Sequence, residues 1–90
     1  MKREYFHVIG RPNCPYCDNA VRLLKERGRD IESETFDRNS QQLNEAKKNY
    51  NWKTVPIINH VQVDEAGYIH ERFVGGFTDL VEYLRGEADG

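Results

Sequence analysis

The chain has 90 residues, of which 31% are charged and 38% are hydrophobic, and its formal net charge is −2 at pH 7. A chain of this length is predicted to form one domain, residues 1–90, that buries roughly 60% of its unfolded surface. The near balance of charge argues against a nucleic-acid partner, and no apolar run approaches the ~20 residues that span a bilayer.

The amino-terminal sequence and the cysteine content favour an intracellular protein. Residues 1–4 pass directly into a strand-like run without a cleavage-site pattern, so no signal peptide is predicted. The two cysteines are too few for a disulfide scaffold, and a close pair inside the cell more often serves redox chemistry or binds a metal. We therefore expect a cytoplasmic protein.

A strand and a helix are predicted to meet at the pair of cysteines. The apolar run Tyr5–Ile9 predicts the strand, and the helix is expected from Pro15 to about Arg27, followed by Gly28. Proline suits the first helical position because its missing N–H has no partner there in any case. Apolar side chains then recur at helical spacing, at Cys17, Ala20, Val21 and Leu24.

This arrangement places Cys14 at the start of the helix and Cys17 one turn later. The unpaired amides and the macrodipole at a helix N-terminus favour a thiolate, and Arg11 adds a positive charge, so a low pKa is expected for the Cys14 thiol. Cys17 lies on the apolar face and is expected to be the more buried and less ionised of the two. Together they form a dithiol couple that can reduce a disulfide through a mixed-disulfide intermediate.

The middle of the chain predicts a short polar strand and a second helix. Ile31–Phe36 carries glutamates on one face, which suits the edge of a sheet. The helix is expected to extend to about Tyr50 along a thin apolar stripe. Its candidate N-caps are Asp37, Asn39 and Ser40.

A β-hairpin is predicted next. Pro56 precedes an apolar pair and marks the start of a strand. Residues 57–63 and 68–74 flank Asp64–Gly67, a good four-residue turn, so the two arms should pair antiparallel.

A third helix is predicted to complete the chain. Gly75 and Gly76 break the preceding strand, Thr78 is the expected N-cap, and Gly86 is the expected end of the helix, with a frayed tail beyond it. The predicted element order is therefore β-α-β-α-β-β-α.

The sequence resembles the glutaredoxins, a family of the thioredoxin-fold superfamily, in this order and in three motifs. The motifs are Arg11–Cys17, Thr54-Val55-Pro56 and Gly75–Leu80. A lone CxxC pair is a weak signal, whereas three separated motifs in matching order are specific. The resemblance implies an α/β fold with a four-stranded mixed sheet and helices on both faces. Here the hairpin is expected to be extended, because residues 57–74 exceed what a short hairpin needs.

The resemblance also implies a function, the glutathione-dependent reduction of protein disulfides and of glutathione mixed disulfides. It implies that Cys14 is the nucleophile and Cys17 the resolving thiol. It further implies that glutathione, the reductant, binds in a groove formed by nine matching positions: Arg11, Tyr16, Thr54, Val55, Pro56, Gly75, Gly76, Thr78 and Asp79.

Each part of the tripeptide has an implied partner in that groove. Pro56 is expected to be cis, which leaves the backbone of Val55 to pair with the cysteine moiety. The amides at the start of the third helix receive the γ-glutamyl carboxylate, and Asp79 faces the amino group. Arg11 pairs with the glycine carboxylate.

Other functions remain open from the sequence. The chain could be a redoxin dedicated to ribonucleotide reductase, or one recharged by a reductase as thioredoxins are. It could also carry a [2Fe–2S] cluster that bridges two chains through Cys14 and two glutathiones, although such relatives usually lack the second cysteine or the proline between the two cysteines. Weaker alternatives are a structural disulfide, half of a zinc site, or a metal shared by His60 and His70. No metal is expected, and the expected state is a monomer acting on disulfide-containing or glutathionylated proteins.

The sequence departs from the family pattern at Asn59 and His60, where an aromatic and an aliphatic residue are common. The third strand is therefore expected to leave the core early, with the hairpin projecting beyond the sheet.

Overall fold

The four strands form one mixed sheet, and the three helices lie against its two faces. The computed structural model describes residues 3–89. The elements are β1 (Arg3–Gly10), α1 (Pro15–Glu26), β2 (Ile31–Thr35), α2 (Gln41–Asn49), β3 (Ile57–Val63), β4 (Ile69–Gly75) and α3 (Phe77–Asp89). The predicted order of elements and the fold class are confirmed.

The sheet order, β2-β1-β3-β4, places the apolar strand β1 in the interior. β1 runs parallel to β2 and antiparallel to β3, and β4 is antiparallel to β3. The polar strand β2 lies at one edge, as predicted. In the β1–β3 register Ile9 pairs with Ile57, so the loop that follows β1 lies beside the residues that precede β3. This pairing brings the cysteine loop next to Pro56.

Side chains that alternate along β1 separate the core into two layers. Phe6 and Val8 face α1 and α3, where they pack with Leu24, Ile58, Leu80 and others. Ile9 faces the opposite way and packs under α2 with Leu43, Ala46 and Ile57. The period of two in a strand and the apolar stripe of each helix account for this division.

The ends of α1 and α2 follow the sequence closely. Arg27 caps α1, and Gly28 follows with a positive φ of 68°, as predicted. Of the three candidate caps for α2, Ser40 is the one used, and its hydroxyl accepts the Leu43 amide at 3.2 Å. Tyr50 caps the other end.

Both predicted ends of α3 are wrong. The helix begins at Phe77, and the Leu80 amide donates to the Gly76 carbonyl at 3.0 Å, so Gly76 rather than Thr78 is the cap. The helix continues through Gly86 to Asp89, because Glu87 in the last turns pairs with Arg29 at 2.7 Å. Of the predicted tail, Gly90 lies outside the described residues.

The expectation that β3 leaves the core early is also wrong. Asn59 is fully buried and His60 is 4% exposed. The His60 ring stacks on Phe6, and its nitrogens lie 2.6 Å from the Tyr83 hydroxyl and 3.0 Å from a Glu4 carboxylate oxygen. A polar side chain remains in the core here because each ring nitrogen has a partner.

Within residues 3–89, no helix is both long enough and apolar enough to cross a membrane.

Candidate active site

The two cysteines lie at the start of α1, as predicted, and are joined in a disulfide. Cys14 is the N-cap, with extended backbone dihedrals, and Pro15 follows in the first turn. The Cys17 amide, one of the helix amides without an intrahelical partner, donates to the Cys14 sulfur at 3.2 Å. This hydrogen bond favours negative charge on the Cys14 sulfur once the disulfide is opened.

The difference in burial expected between the two cysteines is absent. Cys14 is 4% exposed and Cys17 is 7% exposed, because the disulfide draws both sulfurs to the same place against the end of β1.

Gly10, the last residue of β1, makes that close packing possible. A Cβ atom at this position would lie 2.8 Å from the Cys17 sulfur and 3.1 Å from its Cβ. Sequence reasoning missed Gly10, although a glycine between an apolar strand and a CxxC loop is a usable signal of close approach.

The loop between Gly10 and Cys14 is held by Arg11. Its guanidinium donates to the carbonyls of Pro12 and Asn13, at 3.3 and 3.4 Å. Asn13 adopts a positive φ of 57° immediately before the N-cap, a conformation that asparagine tolerates better than most residues. The positive charge of Arg11 is thus held beside the cysteine loop.

A groove of about 550 Å³ opens beside this loop. Its lining includes Tyr16, which lies between the two cysteines, and the segment Thr54-Val55-Pro56, whose Val55–Pro56 peptide bond is cis. The volume is within the range of roughly 300–1,000 Å³ that is usual for small-molecule sites.

The start of α3 forms another part of the groove lining, and there the Asp79 side chain binds the amide of the capping residue, Gly76. Its carboxylate accepts the Gly76 amide at 2.9 Å, as an acidic residue at the third helical position does in a capping box. Gly75 lies directly behind it, with a positive φ of 123°, and a Cβ atom there would meet the Asp79 carboxylate at 2.7 Å. The two glycines allow this tight turn into the helix.

This combination of a disulfide at a helix start, a cis proline beside it and a glycine-led helix opposite agrees with a known family. The sequence model of the glutaredoxin family matches residues 4–61, which is more than half of the chain. The chain belongs to the glutaredoxin family. Together with the Cys14–Cys17 pair, this membership supports thiol–disulfide oxidoreductase activity.

Solved structures agree on the fold of this glutaredoxin. It is similar to glutaredoxin 1 from Francisella tularensis, crystallised with cacodylate, with a TM-score of 0.71 and 21% identity over 98% of this chain and 100% of that one. It is also similar to a thioredoxin from Thermus thermophilus, with a TM-score of 0.53 and 19% identity over 96% of this chain and 74% of that one. A comparison with curated proteins gives no match.

The glutaredoxin fold brings most of the predicted site residues to the groove. Eight of them line it: Arg11, Tyr16, Thr54, Val55, Pro56, Gly76, Thr78 and Asp79. Gly75 lies behind Asp79, and the two sulfurs form the disulfide next to Tyr16. The lining also includes residues that sequence reasoning did not assign to the site, which are Arg38, Asn39, Lys47, Trp52, Lys53 and Phe77.

The two histidines of the hairpin have different hydrogen-bond partners. His60 is bound to Glu4 and Tyr83, whereas the ring of His70 lies 3.0 Å from an Asp64 carboxylate oxygen. Among the residues that the structure describes, no three His, Cys, Asp or Glu side chains are placed to hold a metal ion.

An aromatic cluster joins the hairpin to the groove wall of this glutaredoxin. Phe73 on β4 stacks against Tyr50 at 5.4 Å and meets Trp52 edge-on at 5.3 Å. The Tyr50 hydroxyl donates to Glu71 at 2.6 Å. Burial and the Glu71 carboxylate raise the pKa of Tyr50 to about 12.

Because of this raised pKa, the folded protein should lose stability as the pH rises from 10 to about 12. In that window the unfolded chain releases the Tyr50 proton at its ordinary pKa of 10.0, while the folded chain retains it. In Tyr50→Phe the alkaline fall should be shallower, whereas Tyr68→Phe at the exposed hairpin turn should leave it unchanged. Chemical unfolding at several pH values measures this, and equal slopes in wild type and Tyr50→Phe would contradict the account.

Proposed function

We propose that this glutaredoxin is a glutathione-dependent dithiol–disulfide oxidoreductase that reduces protein disulfides and glutathione mixed disulfides. The observation that carries the proposal is the groove beside the disulfide, whose charged walls suit the ends of the tripeptide. Its lining includes the start of α3 with the Asp79 carboxylate, and the cationic side chains of Arg11 and Lys53. Glutathione carries a carboxylate at each end and an ammonium group next to one of them.

The γ-glutamyl end fits the start of α3. The first amides of a helix lack intrahelical partners and favour an anion, so Phe77, Thr78 and Asp79 offer donors to the carboxylate. The Asp79 side chain then faces the ammonium group. A Cβ atom at Gly76 would be in contact with the Asp79 carboxylate and the Trp52 ring at 3.7 Å, so glycine leaves that space free for the ligand.

The cysteinyl and glycine parts fit the opposite wall. Val55, which precedes the cis bond to Pro56, is half-buried and lines the groove, where we expect its backbone to offer strand-like pairing to the cysteine moiety. Arg11 and Lys53 supply positive charge for the glycine carboxylate. Tyr16, 62% exposed and 6.2 Å from Phe77 between ring centres, forms a side of the groove near the sulfurs.

The chemistry proceeds by thiolate exchange. With a glutathionylated protein, the Cys14 thiolate attacks the glutathione sulfur and releases the protein thiolate, which takes up a proton. A second glutathione thiolate then attacks the Cys14 mixed disulfide and leaves as oxidised glutathione. With a protein disulfide, Cys14 attacks first, and Cys17 displaces the substrate by closing the Cys14–Cys17 disulfide, which two glutathiones reopen.

The direct test is turnover of a small glutathione mixed disulfide with reduced glutathione, glutathione reductase and NADPH. We expect saturable turnover that depends on both substrates. Absence of turnover in this assay, combined with turnover by thioredoxin reductase, would instead support a redoxin recharged by a reductase.

We further infer that the protein acts as a monomer in the cytoplasm, on disulfide-containing or glutathionylated proteins that include ribonucleotide reductase as a candidate. A redox-active cysteine pair of this kind suits a compartment in which glutathione keeps thiols reduced. Sedimentation at several concentrations tests the monomeric state.

Asp79→Ala is expected to raise the KM for glutathione about tenfold or more, because a charge-assisted hydrogen bond contributes ~1.5–3 kcal/mol. Loss of the bond to Gly76 should also lower stability by about 0.5–2 kcal/mol. Asp79→Asn, which retains a side-chain acceptor for Gly76 without the charge, separates the two effects. An unchanged KM in both variants would remove Asp79 from the site, and the rate of Cys14 alkylation should stay nearly constant throughout.

A further inference from the structure

The lining of the groove carries more positive charge than the two carboxylates of glutathione would neutralise. Four lining side chains are cationic, Arg11, Arg38, Lys47 and Lys53, and only Asp79 is anionic. In the described part of the chain, none of the four cations forms an ion pair, although Arg3, Arg29 and Arg85 each do. The excess is local, because the whole chain has a net charge of −2.

Glutathione has no further anionic group to pair with two of these cations. If glutathione binds as proposed above, its carboxylates are matched by the start of α3 and by Arg11 with Lys53. Arg38 and Lys47 then remain without an anionic partner.

Arg38 and Lys47 line the groove together with Arg11 and Lys53. The Phe36 amide donates to the Gly10 carbonyl at 3.0 Å, which joins the chain just before Arg38 to the residue that precedes Arg11. The Trp52 amide donates to the Lys47 carbonyl at 2.9 Å, which joins Lys47 to the residue that precedes Lys53. We therefore expect both side chains near the glycine end of the bound tripeptide.

We propose that Arg38 and Lys47 form a subsite for the carboxylate side chains of protein substrates, and that the enzyme therefore prefers disulfides in acidic segments. A substrate chain that pairs with Val55 in the direction of glutathione continues past the glycine position toward Arg38 and Lys47. The acidic residues should therefore follow the attacked cysteine in sequence. Charge complementarity of this kind acts mainly on the rate of encounter and on the choice of partner.

The reaction that tests this subsite needs no glutathione. The reduced protein, with Cys14 and Cys17 as thiols, is mixed with a cyclic peptide disulfide in a single turnover. Cys14 thiolate attacks one peptide sulfur, Cys17 closes the protein disulfide, and the peptide leaves with both sulfurs reduced. The protein loses the two electrons that the peptide gains, so the exchange is balanced.

Three peptides share the same disulfide ring: one carries aspartates after the second cysteine, one carries lysines there, and one carries aspartates before the first cysteine. At an ionic strength of about 0.02 M, the first should react roughly tenfold faster than the second and clearly faster than the third. Raising the ionic strength to about 0.5 M should reduce the first ratio to about threefold or less.

The double variant Arg38→Gln/Lys47→Gln should lose this preference. A matched control, Arg22→Gln/Lys25→Gln on the exposed face of α1, makes the same change in net charge away from the groove and should keep it. Equal rates for the three wild-type peptides, a preference that survives in the double variant, or a loss that is as large in the control would each overturn the proposal.

A second assay separates this inference from the proposed function. Turnover of a small glutathione mixed disulfide by the double variant should stay within about twofold of wild type, since its carboxylates have other partners. A rise of about fivefold or more in the KM for glutathione would instead make Arg38 and Lys47 glutathione ligands and overturn the subsite. If wild type lacks glutathione turnover altogether, the proposed function fails, while the single-turnover peptide rates still decide the subsite.

Discussion

Cys14→Ser is expected to abolish reduction of both protein disulfides and glutathione mixed disulfides, down to the uncatalysed rate. Cys17→Ser should sharply slow the reduction of protein disulfides and keep the reduction of glutathione mixed disulfides. Cys14 is the cap of α1 and its sulfur receives the Cys17 amide, so it is the sulfur best placed to carry negative charge. In the proposed cycle, a glutathionylated substrate needs one attack by Cys14 and one by a second glutathione, and Cys17 takes no part.

The Cys17→Ser variant should also show a trapped intermediate. Without a resolving thiol, a protein disulfide substrate stays joined to Cys14 as a mixed disulfide that is visible by intact mass. Rapid alkylation at several pH values identifies the more reactive thiol of the wild-type protein. If Cys17→Ser, still folded, loses deglutathionylation as completely as Cys14→Ser, the assignment of the two roles is wrong.

Gly75→Ala is expected to be the most damaging single methyl addition among the glycines that the structure describes. The φ of 123° is a region that residues with a Cβ rarely adopt, which costs about 1–3 kcal/mol. The new Cβ would also lie 2.7 Å from the Asp79 carboxylate and 2.9 Å from the Asp79 Cβ, an overpacking that typically costs about 1–3 kcal/mol more. The sum is a large part of the ~5–15 kcal/mol that stabilises an ordinary domain.

Gly86→Ala is the matched control, and it should change the free energy of unfolding in the opposite direction. Gly86 lies inside α3, and a Cβ there would have nothing within 4 Å. The added methyl should stabilise the helix by about 0.5–1 kcal/mol. Thermal unfolding of both variants measures the contrast, and a Gly75→Ala protein as stable as wild type would show that the turn into α3 is more tolerant than its geometry indicates.

The features predicted correctly from sequence are those that depend on neighbours along the chain. The helical spacing of Cys17, Ala20 and Leu24, with Pro15 at the first position, is a local pattern, and α1 begins where that pattern predicts. The same is true of the polar edge strand β2, and the cap of α2, Ser40, is one of the three candidates that the sequence offers. The cis bond at Pro56, by contrast, was predicted only through the family resemblance.

The errors arise where distant residues decide the outcome. His60 stays in the core because Glu4 and Tyr83, both far away in sequence, satisfy its ring. The last turns of α3 persist past Gly86 with the help of Arg29, which pairs with Glu87. Thr78 has the right side chain for a cap, but Asp79 holds the Gly76 amide and starts the helix earlier.

The groove positions of Arg38 and Lys47 are not predicted from the sequence, for a related reason. Arg38 lies in the loop before α2, and Lys47 lies on α2, a helix with a thin apolar stripe. Nothing in the sequence around either residue indicates a place in a binding site. Only the placement of α2, which packs on the sheet through Leu43 and Ala46, brings them to the groove. A sequence pattern identifies elements more readily than it identifies which of their exposed side chains meet.

The position of Trp52 gives the molecule a built-in optical probe. It is the single tryptophan of the chain, and its indole lines the groove and contacts Phe73. All tryptophan emission from the protein therefore comes from one wall of the candidate site. If glutathione or a peptide disulfide binds in the groove as proposed, it changes the surroundings of the same ring, so binding can be followed in unlabelled protein at low concentration and in real time.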